Sequence, residues 1–314
     1  MTEVVPQALL PVFFVLILGY TAGKFHVINA AHVGALNSLL INYALPASLF
    51  IATSSTSRDV MLAQWPIFVI VGGAMMAVYA GWYWAGRLFS KQTTGVNALH
   101  ALTVSLPNAA ALGLPVTSAL FGAGHAAPVA VVVMLGSLLP APVTLIILEV
   151  SRASDSKTSG DGRGIARALL RTFGKPVVLA PIAGMTLSLL AWRLPPLAAN
   201  MLQPIGAGAG GLALFVTGLI LSGQSFGLSW ETVAATITAN IMRPLIALAI
   251  AKFLAVPAPE VKLAVLFASF PSGFYGILFG ATYSLETKEV GSTVIASTIS
   301  AAVTVSFAIA WLYG

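Results

Sequence analysis

The chain has 314 residues, of which 58% are hydrophobic and only 8% are charged, and its formal net charge is +6. A soluble domain carries roughly 25% charged residues, so this composition excludes a protein that folds with a water-facing surface all round. The basic balance would suggest nucleic acid in a soluble protein, whereas here it indicates Lys and Arg retained in cytoplasmic loops. The absence of cysteine excludes disulfides and thiolate metal sites.

Apolar runs of about 20 residues, the length that crosses a bilayer, fill nearly the whole chain. Polar residues divide these runs into ten predicted spans, with five on each side of a hydrophilic linker at Ser151–Lys175. In chain order the spans are Val4–Gly23, Ala31–Thr53, Trp65–Arg87, Asn97–Phe121, Ala127–Val150, Pro176–Trp192, Pro196–Ser222, Thr232–Val256, Val261–Tyr283 and Val290–Tyr313. The first run follows Glu3 and no Lys or Arg, which predicts a mature helix and not a cleaved signal peptide.

Loop charges predict the orientation of these spans. The side that holds the linker receives ten Lys and Arg, the other side receives four, and the fifteenth, Arg243, lies inside a span. The positive-inside rule therefore predicts a multi-pass protein of the cell (inner) membrane, with a cytoplasmic linker and both termini outside.

The two halves of the chain resemble each other. A shift of 164 residues places Ser105 and Pro107 over Ser269 and Pro271, and a shift of 165 places Pro11 over Pro176. Because each half has an odd number of spans, the second half enters the membrane upside down, as in secondary transporters with inverted repeats. The expected units are a first five-helix repeat at 1–150, a cytoplasmic basic linker at 151–175 and a second, inverted repeat at 176–314.

Matching prolines lie in the middle of the fourth and ninth spans, at Pro107 and Pro271. A proline removes a backbone donor and clashes with the preceding turn, so both helices are expected to break there. A single such proline is equally typical of an ordinary kink, but a matched pair favours a binding site between broken helices. Freed amides and positive helix ends at the breaks would stabilise a carboxylate. The candidate binding residues at the two breaks are Pro107, Asn108, Pro271, Ser272, Gly273 and Tyr275.

Further polar residues inside the spans are open to two interpretations. Arg243 in the eighth span is costly in hydrocarbon, so it either attracts a substrate, or snorkels or binds freed carbonyls near Pro244; Asn240 lies on the same helical face. In the second span, Asn42 is a binding candidate or a link between helices, and for Asn37 the sequence favours the link. His100, before the fourth-span break, is expected to be packed more readily than to relay protons.

None of the nine acids lies clearly at the midplane, so coupling through a buried carboxylate has no evident residue. No Walker, Rossmann or HExxH motif is present, and no enzyme activity, metal or cofactor is predicted.

The residues Asn42–Phe50 (NYALPASLF), Leu106-Pro107-Asn108 and Gly113-Leu114-Pro115 resemble the auxin efflux carrier family, whose bacterial members include malonate- and other organic-acid-type carriers. Arg243-Pro244 is similar to a basic residue before proline in that family. The resemblance implies an all-α fold like that of the sodium/proton antiporter and bile-acid transporter group, in which helices 4 and 9 unwind and cross. It also implies a moving core of spans three to five and eight to ten, elevator-like motion, and a scaffold that often dimerises, here through helices 2 and 7. Ser272 replaces an asparagine of the family pattern.

The favoured function is therefore secondary transport of a small organic anion across the bilayer, with no nucleic-acid partner. A sodium-coupled bile-acid-type symporter of the same architecture is the nearest alternative, and a channel or sensor with the same fold is the alternative of a different class.

Overall fold

A computed structural model describes residues 4–121, 126–155, 170, 172–192 and 194–313, and these form α-helices joined by short connections. Within these ranges no strand occurs beyond one isolated bridge. The helices are α1 Val4–Lys24, α2 Ala30–Leu39, α3 Leu45–Ser54, α4 Arg58–Ala63, α5 Trp65–Phe89, α6 Thr94–Ser105, α7 Ala109–Phe121, α8 Ala126–Leu138, α9 Pro140–Asp155, α10 Pro176–Leu189, α11 Pro196–Gly206, α12 Ala209–Ser222, α13 Trp230–Ile237, α14 Arg243–Phe253, α15 Ala258–Ala268, α16 Tyr275–Tyr283 and α17 Lys288–Tyr313. Most of the predicted linker lies outside the described residues.

Among the described residues, six helical segments are long and apolar enough to cross a membrane. They are Ala31–Ser54, Trp65–Phe89, Pro128–Arg152, Pro196–Ser222, Trp230–Phe253 and Lys288–Tyr313. Three shorter apolar helices lie at Leu10–Lys24, Ala109–Phe121 and Pro176–Leu189. The chain is therefore a multi-pass helical membrane protein.

Several segments predicted as single helices are interrupted. The fourth and ninth predicted spans are each divided at their proline, into α6 and α7 and into α15 and α16. Two further interruptions are π-helical turns that the sequence did not predict, at Leu40–Ala44 and Thr238–Met242. Each π-turn precedes a helix with proline as its second residue (Pro46 and Pro244), and the missing proline N–H explains why the α-helical ladder changes register there.

The helices pack in two groups. In one group α1 packs along α12, and α3 packs against α10 and α11. In the other, α5 contacts α6, α8, α14 and α15, while α17 contacts α13 and α6. Glycines permit the closest approaches within the first group: a Cβ at Gly218 would lie 2.0 Å from the Leu16 oxygen, and one at Gly184 would lie 2.8 Å from the Phe50 oxygen. The two groups meet through α7, α8 and α16, which contact helices of the first group.

Candidate functional site

The two proline-broken segments hydrogen-bond directly to each other. Pro107 and Ser272 form an antiparallel β-bridge, in which the Asn108 N–H donates to the Pro271 oxygen at 2.8 Å and the Gly273 N–H donates to the Leu106 oxygen at 2.7 Å. Neither proline occupies a position where this pairing needs a donor, so the missing N–H groups cost nothing here. We call residues 106–108 together with residues 270–274 the crossover.

Small residues let the second broken segment lie against α6. A Cβ at Gly273 would lie 2.8 Å from Leu106 Cδ2, and one at Gly276 would lie 2.0 Å from Thr103 Oγ1. A Cβ at Gly276 would also lie 2.6 Å from the backbone oxygen of Leu99, so position 276 requires glycine unless the backbones separate, whereas a Cβ at position 273 would require the Leu106 side chain to move. The close approach of α16 to α6 therefore depends on Gly276.

A cavity of about 20 Å³ lies at the crossover, enough for one water molecule. It is lined by Leu106, Pro107, Asn108, Ala110, Val133, Gly273, Phe274 and Tyr275. A neighbouring cavity of about 640 Å³, which shares Ala110, Val133 and Tyr275 with it, extends between α3, α8 and residues 206–210. Among the described residues, none that lines either cavity is an acid, a lysine, an arginine or a histidine.

Two helices begin at the crossover. Helix α7 starts at Ala109 and α16 starts at Tyr275, and residues of both first turns line the small cavity. The first N–H groups of a helix have no partner within it, and they carry the positive end of the helix dipole. The wall of the cavity is therefore electropositive without containing a charged side chain.

Asn108 and Ser272 contribute polar side-chain atoms that are buried without a partner. Asn108 is 4% exposed and Ser272 is fully buried, and neither Asn108 Oδ1 nor Ser272 Oγ has a hydrogen-bond partner among the described residues. Buried polar groups are normally paired, so an unpaired one marks a place where a ligand or water belongs. Only Asn108 of the two lines a cavity.

Arg243 contacts the crossover and is fully buried. Its Nε donates to the Ala268 oxygen at 3.0 Å, Nη1 donates to the Val104 oxygen at 2.8 Å, and Nη2 donates to the Phe270 oxygen. The arginine lines neither cavity. Of the two interpretations of this residue, the geometry favours the one in which it binds freed carbonyls.

Asn240 supports the crossover through α17. Its Nδ2 donates to the Ser297 oxygen at 2.9 Å, and its Oδ1 accepts from Ser297 Oγ at 2.6 Å. Ser297 Oγ in turn accepts the Ser272 N–H at 2.8 Å. Sequence reasoning missed Ser297, although it belongs to a polar stripe at helical spacing along α17, formed by Thr293, Ser297, Ser300 and Thr304.

The remaining candidates lie away from the cavities. Asn42 is exposed, donates to Ser38 Oγ at 3.0 Å, and lines neither cavity. Asn37 joins helices as predicted, since its Nδ2 donates to the Leu278 oxygen at 2.9 Å. His100 is buried and packed: Nε2 lies 3.0 Å from Thr293 Oγ1 and the ring meets Trp82 edge to face.

One buried acid was not singled out by sequence reasoning. Glu149, at the end of the fifth predicted span, accepts a hydrogen bond from Tyr283 Oη at 2.6 Å and lies 3.4 Å from Lys175 Nζ. The contact joins α9 and α16 to the segment before α10. A lone Glu near a span end carries no sequence signal of such a partner, because the three residues are far apart in the chain.

Comparisons with known proteins match nearly the whole chain. The family model described as "Membrane transport protein" matches residues 4–309. The chain is 26% identical to the uncharacterized transporter YfdV of Escherichia coli K12, over 97% of this chain and 96% of that protein. It is 23% identical to a Rhizobium meliloti protein named as a candidate malonate transporter, over 95% and 92%, and 22% identical to auxin efflux carrier component 8 of Arabidopsis thaliana, over 93% and 92%. The chain therefore belongs to the membrane transport protein family. This is the auxin efflux carrier family, which the motifs of the sequence resemble.

Proposed function

We propose that the protein is a secondary transporter of small organic anions and that it binds a substrate carboxylate at the crossover. The observation that carries this proposal is the pair of helix N-termini, of α7 and α16, at one cavity whose described lining has no charged side chain. Each N-terminus is equivalent to roughly half a positive charge, so the two together match about one carboxylate.

Asn108 is the proposed side-chain ligand, because it lines the cavity and its amide Nδ2 can donate to a carboxylate, while its unpartnered Oδ1 can accept from a water molecule or a substrate hydroxyl. Pro107 and Pro271 shape the crossover, Gly273 allows its close contact, and Tyr275 forms a wall common to both cavities. We assign Ser272, Asn240 and Arg243 to the support of the crossover. Asn42 is the candidate with least support.

The named relatives favour a carboxylate. Malonate and auxin, which appear in the names of two of the relatives, differ in size and ring content but share an ionised carboxyl group. A site formed by amide N–H groups recognises that shared group, while the apolar walls of the larger cavity receive the rest of the molecule. The larger cavity, with about 640 Å³, is in the range of pockets for small molecules.

The proposed mechanism is elevator-like alternating access by ten spans in two inverted repeats, 1–150 and 176–314. The two packing groups support it: the helices of the first, second, sixth and seventh predicted spans pack together as a scaffold, α6 and α15 belong to the other group, and α7 and α16 contact both. Movement of that second group along the scaffold would carry the crossover from one side of the membrane to the other. We further propose outward termini, a cytoplasmic linker at 151–175, and a homodimer through the second and seventh spans.

Counterflow tests the proposal. Purified protein in liposomes loaded with unlabelled malonate is expected to accumulate labelled external malonate transiently, and unlabelled monocarboxylates compete if they enter the same site. A channel would instead equilibrate the label without transient accumulation. A saturable counterflow with no carboxylate among its substrates would refute the assignment to organic anions.

A further inference from the structure

The breaks that follow α6 and α15 leave backbone carbonyls that the proposed substrate site does not pair. Each break leaves a helix C-terminus inside the protein, where the last carbonyls have no partner within the helix and the dipole ends are negative. Two such ends amount to roughly one negative charge in a low-dielectric region. A transporter with broken helices commonly neutralises such carbonyls with a coupling cation, Na⁺ or H⁺.

Arg243 occupies the point where these carbonyls converge. Val104 lies in the last turn of α6, Ala268 is the last residue of α15, and Phe270 lies in the crossover segment that follows. All three of their oxygens accept from the guanidinium, one from each nitrogen. Its single positive charge balances the roughly one negative charge of the two helix ends.

We propose that Arg243 is a tethered cation: its guanidinium replaces the coupling cation of the crossover, so carboxylate transport by this protein does not require Na⁺. This inference rests on the proposed function, because it concerns the site at which that function places the carboxylate. Arg243 is a positioning residue, since it lines neither cavity and acts by holding the ends of α6 and α15 at the distance that the crossover bridge requires.

Within the structure's described ranges no acid forms an ion pair with the guanidinium, and the π-turn at Thr238–Met242 directly precedes Arg243. The position of the charge is therefore fixed by main-chain atoms of three separate elements. An arginine is suited to this place because its planar donors point in several directions and its charge is permanent. Lysine would supply the charge from one nitrogen, and glutamine would supply donors without the charge.

The first experiment compares counterflow of labelled malonate by the wild-type protein in sodium and in choline medium. Equal rates are expected. A rate at least tenfold lower in choline would overturn the proposal. If the wild-type protein transports no carboxylate in either medium, the proposed function fails, and the proposal about Arg243 is then decided by the stability experiment below.

The second experiment measures thermal unfolding of Arg243→Ala in detergent with millimolar guanidinium chloride, NaCl or tetramethylammonium chloride. A cation small enough to reach the carbonyls, guanidinium or Na⁺, is expected to raise the Tm of the variant by several degrees, whereas tetramethylammonium and the wild-type protein show no such rise. The exposed Lys252 of the same helix supplies the matched control, because Lys252→Ala removes a charge that faces no crossover carbonyl. An equal response of Lys252→Ala and Arg243→Ala would overturn the proposal.

A third comparison covers the case in which Arg243→Ala does not fold. Arg243→Lys and Arg243→Gln are expressed in parallel, and malonate counterflow is normalised to the amount of folded protein. The lysine variant is expected to retain at least about ten times more transport than the glutamine variant, because the charge and not the donor count is the essential property. Equal transport by the two variants would assign Arg243 to hydrogen bonding alone and would overturn the tethered-cation proposal.

Discussion

Replacement of Asn108 by alanine gives the sharpest test of the crossover as a binding site. In the structure this side chain is 4% exposed, lines the cavity and leaves its buried oxygen without a partner among the described residues. The Asn108 side chain makes no hydrogen bond to another described residue, so Asn108→Ala is expected to leave the fold intact. A hydrogen bond to a charged ligand contributes about 1.5–3 kcal/mol, and its loss corresponds to a decrease in affinity of about tenfold to a hundredfold.

The assay is isothermal titration of purified protein with malonate and with a monocarboxylate, supported by the KM of counterflow. Asn42→Ala is the matched control, because Asn42 is exposed and lies outside both cavities. Ser272→Ala is expected to change affinity less than Asn108→Ala, since Ser272 lines neither cavity. Asn108→Asp adds a negative charge beside the carboxylate and is expected to lower affinity further. A wild-type affinity in Asn108→Ala, or improved binding in Asn108→Asp, would refute the model of the site.

Three further predictions concern packing, support and topology. Gly276→Ala places a Cβ 2.6 Å from the backbone oxygen of Leu99 and is expected to lower the Tm markedly, whereas Gly34→Ala, with nothing within 4 Å, leaves the Tm nearly unchanged or slightly raised; equal Tm values would contradict the packing argument. Ser297→Ala leaves the buried Ser272 N–H without its acceptor and is expected to lower the free energy of unfolding by about 1–3 kcal/mol, as measured in denaturant; no loss would show that water or another group replaces the hydroxyl. In intact cells an impermeant thiol reagent is expected to label Thr2→Cys but not Ser156→Cys, both positions lying outside the described residues; the reverse pattern would invert the topology.

The helices and the two proline breaks were accessible from sequence because each depends on local physics. A run of about 20 apolar residues has few alternatives to a membrane helix, and Pro107 or Pro271 cannot continue a helical ladder. The matching of the two prolines across the halves then indicated that the breaks lie together, and the β-bridge between Pro107 and Ser272 has that arrangement.

The role of Arg243 was not accessible from sequence. Its partners are carbonyls of Val104, Ala268 and Phe270, and a main-chain oxygen has no sequence signature. The cost of burying the charge predicted that a partner exists, but could not distinguish a ligand from the backbone. The π-turns at Leu40–Ala44 and Thr238–Met242 were missed for a similar reason: proline predicts disturbance of the preceding turn, but its form depends on packing.

The absence of charged side chains from the described cavity walls also predicts which carboxylates are rejected. Lactate and alanine are nearly equal in size, and they differ in that lactate has a hydroxyl where alanine has an ammonium group. Helix N-termini and the Asn108 amide stabilise the carboxylate of either molecule, but no acid among the described lining residues can pair with the ammonium. The wall that the two helix N-termini make electropositive repels this positive charge, and burying it without a partner carries a large desolvation cost; the second carboxylate of malonate, in contrast, has the sign that the wall attracts.

Competition against labelled malonate measures this discrimination. Lactate is expected to inhibit at concentrations at least tenfold lower than alanine. Propionate, which has neither group, serves as the control for the contribution of the lactate hydroxyl. Equal inhibition by alanine and lactate would require an acidic group at the substrate site, and the assignment of a site built from helix dipoles and an amide would then be wrong.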